Sequence, residues 1–197
     1  MELNNNNLHT IGAITGDGIY TSWKDKEAYK HWIAMLTRCY KLYNHHLNTH
    51  INCNVCESWF DFQNYCKWYY DNIYYIPGVK MQVDKDILIK GNTLYSPNTC
   101  VIVPNTINVL FRKSHSNKTN DLPMGVYPGS KKNPYKVIFK YNGITKNLGY
   151  YDSIDKAKNI YANYKYKYYK ELLYSYKDYI PKNTFNKLDK VTIEAFL

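Results

Sequence analysis

Arginine is almost absent from this sequence. Arg38 and Arg112 are its two representatives in 197 residues, and lysine supplies the rest of the positive charge. This bias, with heavy use of tyrosine and asparagine, is typical of AT-rich genes. The formal net charge of +10 predicts attraction to polyanions such as nucleic acid, acidic lipid or an acidic protein.

Long apolar runs are also missing. A membrane-spanning helix needs about 20 consecutive apolar residues, and no run of that length occurs. The first residues, MELNNNNLHT, lack the basic start and apolar stretch of a secretory signal. We therefore expect no membrane association and a cytoplasmic protein.

Cysteine is present in an odd number, five, which argues against a disulfide framework. Cys53 and Cys56 form a single CxxC pair, and a zinc site would need two more ligands. The candidate ligands for those two positions are Cys39, Cys66, His45, His46 and His50. No second CxxC or HxxxH completes the pattern, so we expect buried free thiols rather than structural zinc.

The positive charge is concentrated near the C-terminus. Residues 125–190 contain 14 lysines against 5 acidic residues, whereas residues 1–124 contain 12 basic against 10 acidic residues. This distribution is expected of a region that lies on phosphates. The alternative is a solvated, lysine-rich surface.

The N-terminal part predicts helices and a ββα unit. Residues 1–18 are interpreted as an irregular arm, followed by a domain over residues 19–112. Apolar residues at helical spacing predict helices over Lys26–Tyr40 and Trp59–Asn72, whose aromatic faces indicate core packing and no small-molecule cofactor. Short strands around residues 83–89 and 100–103, then a helix over residues 105–112, make the ββα unit.

The C-terminal part predicts a sheet covered by one helix. The polar residues 113–123 are interpreted as a linker, residues 124–180 as a domain and residues 181–197 as a tail that packs back. Three strands are joined by turns at 128–133 and 142–143, and Ser153 caps a helix whose apolar stripe covers the sheet. We expect lysines 158, 165 and 170 on the outside of that helix. The predicted fold class is α+β.

Three segments resemble, in their order, phage-encoded proteins related to HNH homing endonucleases: WIAMLTRCY (32–40), VCESWFDFQNY (55–65) and VDKDILIKGNTLYSPNTC (83–100). In that family the ββα unit holds one divalent metal, and a histidine on the first strand deprotonates water. The resemblance implies Asp84 and Asn108 as ligands for Mg²⁺ or Mn²⁺. Lys85 stands at the position of the base histidine, and Thr99 at that of the asparagine that orients it.

Lysine at position 85 makes a degenerate nuclease site. A lysine with an ordinary pKa near 10.4 is a cation at neutral pH and has no lone pair to accept a proton. Lys85 is therefore better suited to holding a phosphate, and Asp86 is a weak substitute base. The alternative interpretation of Asp84, Lys85 and Asp86 is an exposed, ion-paired strand edge.

A second resemblance covers residues 125–161, GVYPGSKKNPYKVIFKYNGITKNLGYYDSIDKAKNIY. This segment resembles the APETALA-type (ethylene-response-factor) DNA-binding domain, which implies a three-stranded sheet lying in the major groove of double-stranded DNA. The implied DNA contacts are Tyr127, Lys131, Lys132, Tyr135, Lys136, Lys140 and Lys146. Because the arginines of the plant members are missing, we expect mostly contacts with the DNA phosphate backbone and a modest or AT-leaning sequence preference.

Two functions follow as hypotheses. The first is a phage or mobile-element protein of the HNH group that docks on duplex DNA with its C-terminal sheet and carries a degenerate metal-dependent nuclease site. The second is a non-enzymatic DNA-binding regulator or accessory protein. A lysine surface for an RNA or protein partner is a third possibility.

Overall fold

The computed structural model describes residues 19–40, 53–112 and 122–197, so the predicted arm over residues 1–18 lies outside it. Over the described residues the chain is α+β, as predicted. It divides into two compact units, Met1–Val103 and Pro104–Leu197. The sequence placed the boundary later, in a linker over 113–123, of which 113–121 are not described. The division comes earlier because the helix after Pro104 packs within the C-terminal unit.

The N-terminal unit contains two helices and short strand pairs. In order, the elements are α1 (Lys26–Tyr40), β1 (Asn54–Val55), a 3₁₀ turn (Glu57–Phe60), α2 (Phe62–Asn72), β2 (Met81–Asp84), β3 (Leu94–Tyr95) and β4 (Val101–Pro104). β1 pairs in parallel with β3, and β2 pairs with β4. The first predicted helix has the observed bounds, whereas the second, predicted over Trp59–Asn72, is interrupted. Asp61 is extended there and caps α2 by accepting the Gln63 N–H at 2.9 Å.

Aromatic side chains form the core of this unit. Trp32, Trp59, Phe62 and Tyr65 are almost completely buried. The Trp32 indole N–H donates to the Trp59 carbonyl oxygen at 2.7 Å, and the Trp59 and Tyr65 rings meet edge to face at 5.1 Å. The aromatic stripes that the sequence assigned to core packing therefore do pack a core.

Tyr65 and Tyr74 should respond in opposite ways to loss of the hydroxyl. Tyr65 Oη is buried without a hydrogen-bond partner among the described residues, whereas Tyr74 Oη donates to the Ile102 carbonyl at 3.1 Å. We expect Tyr65→Phe to raise the free energy of unfolding by about 1 kcal/mol and Tyr74→Phe to lower it by about 1 kcal/mol. Chemical denaturation followed by tryptophan fluorescence measures both, because all four tryptophans belong to this unit. A stability loss in Tyr65→Phe would contradict the expectation.

The C-terminal unit is a sheet with a long helix on one face. Its elements are α3 (Asn105–Phe111), β5 (Val126–Pro128), β6 (Tyr135–Tyr141), β7 (Ile144–Tyr151), α4 (Ile154–Ser175), α5 (Lys182–Asp189) and a 3₁₀ turn (Ile193–Phe196). The strands are antiparallel in the order β5-β6-β7. Asn142 and Gly143 have φ of 44° and 80° and make the two-residue turn between β6 and β7.

Helix α4 is buried on more than the one stripe that faces the sheet. Ser153 caps it as predicted, by accepting the Lys156 N–H. Phe139 of the sheet contacts Tyr168, while Phe111 of α3 and Phe196 of the last turn contact Tyr169 from elsewhere on the helix.

Two predictions about this helix have different outcomes. The tail packs back onto α4, as predicted. The expected exposure of Lys165 is wrong, because that residue lies on the additional buried surface. Among the residues described, no helix is both long and apolar enough to cross a membrane.

Candidate nucleic-acid interface

One face of the C-terminal sheet is open and the other is covered by α4. Val137 and Phe139 of β6 are buried against the helix, so the alternating residues between and beside them point the opposite way. Strand register extends this face to the neighbouring strands. We call it the open face, and its side chains are Tyr127, Lys136, Ile138, Lys140, Thr145, Asn147 and Tyr150.

Two lysines of the open face lie over tyrosine rings. Lys136 Nζ is 5.6 Å from the centroid of Tyr150, and Lys140 Nζ is 5.4 Å from that of Tyr127. A cation above an aromatic face is held by the ring quadrupole and keeps its charge. Both ammonium groups therefore stay available to an anion that approaches the sheet.

The sheet carries no negative charge. Residues 122–151 contain five lysines and no aspartate or glutamate. The ion pairs described in this unit lie outside the sheet, at Lys156–Asp152, Lys167–Glu171 and Lys170–Asp189. The strands and their turns consequently present positive charge with no acidic residue among them.

The turn between β5 and β6 adds two exposed lysines, Lys131 and Lys132. It is closed by the Gly129 N–H donating to the Pro134 carbonyl at 2.8 Å and the Ser130 N–H donating to the Asn133 carbonyl at 2.9 Å. The turn is thus an ordered extension of one end of the sheet.

Two of the implied DNA contacts lie on the other face. Lys146 pairs with Phe139, and its Nζ lies 5.1 Å from the Tyr164 ring of α4. Tyr135 is two residues before Val137 in β6, so both side chains point to the same face, and Val137 is completely buried under the helix. Lys146 and Tyr135 are therefore corrected from the open face to the face that α4 covers.

Four open-face residues are not among the implied DNA contacts: Ile138 of β6, and Thr145, Asn147 and Tyr150 of β7. The signal for Thr145 and Asn147 was the two-residue Asn-Gly turn, since it fixes Thr145 opposite Lys140 and Lys146 opposite Phe139. Beyond Asn147 the register shifts, because Leu148 is an extra residue in β7. Counting from the turn alone would have misplaced Tyr150.

In the N-terminal unit, Asp84, Lys85 and Asp86 form a closed turn after β2. The backbone N–H groups of Asp86 and Ile87 donate to Asp84 Oδ1 at 2.7 and 2.9 Å. Burial raises the pKa of Asp84 above its ordinary value. This turn also ends β2 at Asp84. Ile87 and Ile89, which the sequence placed around the strand, therefore lie after its end.

Lys85 is buried, which corrects both sequence interpretations of it. Its Nζ donates to Asp86 Oδ1 at 2.6 Å and to the Asn92 carbonyl at 2.7 Å, and it lies 5.6 Å from the Tyr95 ring. Its side chain is neither an exposed edge nor a free phosphate ligand. Thr99 Oγ1 donates to the Leu94 carbonyl at 2.7 Å, a contact within the loop that joins β3 and β4.

Asp84 and Asn108, the implied metal ligands, are engaged or buried within the fold. One oxygen of Asp84 is already used by two N–H groups, and Asn108 is a buried residue of α3 in the C-terminal unit. Within residues 19–40, 53–112 and 122–197, no three His, Cys, Asp or Glu side chains come together in a way that could hold an ion. Magnesium or manganese binding at Asp84 and Asn108 stays a prediction from the resemblance.

All five cysteines lie within the described residues and form no disulfides. Cys53, Cys66 and Cys100 are buried, and burial raises the pKa of the latter two to about 12. The neighbouring Cys39 thiol lowers the pKa of the Cys53 thiol. The nominated zinc ligands His45, His46 and His50 lie outside the described residues.

Comparisons of the chain with protein-family models, with curated proteins and with solved structures gave no match.

Proposed function

We propose that this protein binds double-stranded DNA with the open face of its C-terminal sheet. The observation that carries the proposal is a three-stranded face on which lysines lie over tyrosine rings, within a stretch of chain that has no acidic residue. Lysines that neutralise phosphates release condensed counterions, which supplies affinity independently of sequence. A competition assay with a labelled duplex tests this proposal. The protein should bind the duplex at low salt, and unlabelled duplex should displace it more readily than single-stranded DNA or RNA does.

The dimensions of the sheet suit the major groove. Strands about 4.8 Å apart give three strands a width of about 10 Å between the outer axes. The major groove of B-DNA is about 12 Å wide, so a sheet of three short strands can enter it. Lys131 and Lys132, at one end of the sheet, are placed to contact a phosphate strand beside the groove.

The side chains of the open face favour modest sequence preference. Arg112 is the single arginine of the C-terminal unit and follows α3, so the strands lack the planar guanidinium that is best shaped for bidentate recognition of guanine. Asn147 can donate to and accept from a base edge, and Ile138 can contact a thymine methyl group. Most of the affinity then comes from contacts with the DNA phosphate backbone, and the remaining sequence preference favours A·T pairs.

The N-terminal unit supports the non-enzymatic alternative over the nuclease. A nicking enzyme needs a base beside a metal-activated water. At the position of that base, Lys85 already donates two hydrogen bonds inside the fold. We therefore propose a DNA-binding regulator or accessory protein, with an origin in a phage or mobile element as the resemblance implies.

The choice between these functions is tested by nicking of supercoiled DNA with Mg²⁺ or Mn²⁺. We expect no nicking by the native protein, by Asp84→Ala or by Lys85→His, because restoring a histidine does not free the Asp84 oxygen that caps the turn. Metal-dependent nicking by the native chain, lost in Asp84→Ala, would make the protein an enzyme and overturn the choice.

A further inference from the structure

The C-terminal unit contains a cavity of about 320 Å³ beside the short strand β5. β5 pairs with the first half of β6 only, so the second half of β6 has one edge without a strand neighbour. Apolar side chains from α3, from the chain before β5 and from β6 and α4 make most of the wall; Val109, Leu110, Val126 and Phe139 are examples. A space of this size holds about ten water-sized groups at roughly 30 Å³ each.

A buried lysine belongs to the wall of this cavity. Lys165 is 7% exposed and is one of the wall residues. Its Nζ donates to the Met124 thioether sulfur at 3.4 Å and lies 5.7 Å from the rings of Tyr161 and Phe196. Among the described residues no carboxylate pairs with it, although a buried ammonium is costly unless it has a charged partner.

The remaining charges on the wall have the same sign. Arg112 and Lys140 also line the cavity, and no aspartate or glutamate does. Apolar walls with convergent cationic groups select a ligand that has an apolar body and one negative charge. A carboxylate would give the Lys165 ammonium the charge-assisted hydrogen bond that a thioether cannot supply.

We propose that this cavity binds a small apolar monocarboxylate, whose carboxylate pairs with Lys165 and whose hydrocarbon body fills the space between α3 and β6. This goes beyond DNA binding, and it concerns a ligand, whereas the sequence-based expectation was of no small-molecule cofactor. It does not rest on the proposed function: Tyr127, Ile138 and Lys140 belong to both the cavity wall and the open face, but Lys165 belongs to the wall alone, and ligand and DNA binding are measured in separate experiments.

The test is calorimetric titration of the full-length protein with octanoate, octanol and octylamine, three ligands of nearly equal size. Octanoate should bind about ten-fold or more tightly than the other two, because it alone offers the Lys165 ammonium a negatively charged acceptor, whereas octanol is neutral and octylamine is a cation. Lys165→Met keeps the length of the side chain and removes the amine, so it should abolish the preference for octanoate. Val109→Phe keeps Lys165 and narrows the space, so it should weaken all three ligands.

The pH dependence of octanoate affinity distinguishes a ligand-binding lysine from a purely structural one, because only the former makes the affinity depend on its protonation. Burial lowers the pKa of Lys165 to about 8, so octanoate affinity should fall as pH rises from about 8 to 10. Burial raises the pKa of Tyr141 and Tyr161 to about 12, which keeps both neutral over that range. The other ionisable groups nearby are Arg112, Lys140 and Tyr127 on the wall, with Glu194 on the last turn that packs on α4.

Two outcomes would overturn the proposal. They are equal binding of octanoate and octanol, and an octanoate preference that persists in Lys165→Met.

Discussion

Replacing Lys136 and Lys140 with glutamine should weaken duplex-DNA binding by about ten- to a hundred-fold at moderate salt. Each lysine of the open face is expected to neutralise about one phosphate. The slope of log K against log salt should therefore fall by about two in the double variant. Fluorescence anisotropy with a labelled duplex, repeated over a series of salt concentrations, measures both quantities.

A matched control separates the open face from net charge. Lys182 and Lys187 are exposed on α5, which packs against α4, on the side away from the open face. Their double glutamine variant loses the same charge and should keep most of the affinity. Lys131→Ala with Lys132→Ala should lie between the two, since these lysines flank the sheet. Equal losses in all three variants would mean that binding follows overall charge, which contradicts the assigned face.

Gly125→Ala should destabilise the C-terminal unit by about 3 kcal/mol. Gly125 has φ of 76°, a left-handed conformation that costs alanine about 1 kcal/mol. The added Cβ would also overlap the ring of Tyr161 at Cδ2 and Cε2, and that ring is buried against the sheet. Overpacking of this kind adds about 1–3 kcal/mol. The melting temperature of the unit should fall by roughly 10–20 °C.

Gly143→Ala is the control for the backbone contribution alone. Its φ of 80° is similar, and an added Cβ would meet nothing within 4 Å. It should cost about 1 kcal/mol. Hydrogen exchange of β6 and α4 reports on the unit that both substitutions affect. A Gly125→Ala variant as stable as Gly143→Ala would show that Tyr161 moves aside at little cost.

Local signals predicted the sheet and its helix well. The Asn142–Gly143 pair, the alternation in β6 and the Ser153 cap each act over a few residues, so the sequence carries them directly. The same turn held the information that Lys146 faces α4. The bulge at Leu148 has a weaker signal: Gly149 beside it has φ of 118°, and a lone glycine inside a strand indicates a bulge without fixing which residue is the extra one.

The buried lysines could not be predicted in this way. Lys165 lies on the part of α4 that the last turn covers, and Phe196, 31 positions later, is what lies near its amine. Lys85 is buried because the Asn92 carbonyl returns to it across the loop that follows β2. Charged residues are almost never fully buried, so local pattern places both outside. Contacts with residues distant in sequence bury both lysines instead. Lys85 is therefore a structural residue and not the phosphate-binding residue that the sequence predicted.

The most direct test of the DNA interface is acetylation footprinting of the lysines of the full-length protein, with and without a duplex at low salt. The account predicts that Lys136 and Lys140 become protected and that Lys131 and Lys132 follow. Lys146, on the helix side of the same strands, and Lys182, on α5, should react as before. Unchanged reactivity at Lys136 and Lys140, or equal protection of Lys182, would contradict binding through the open face.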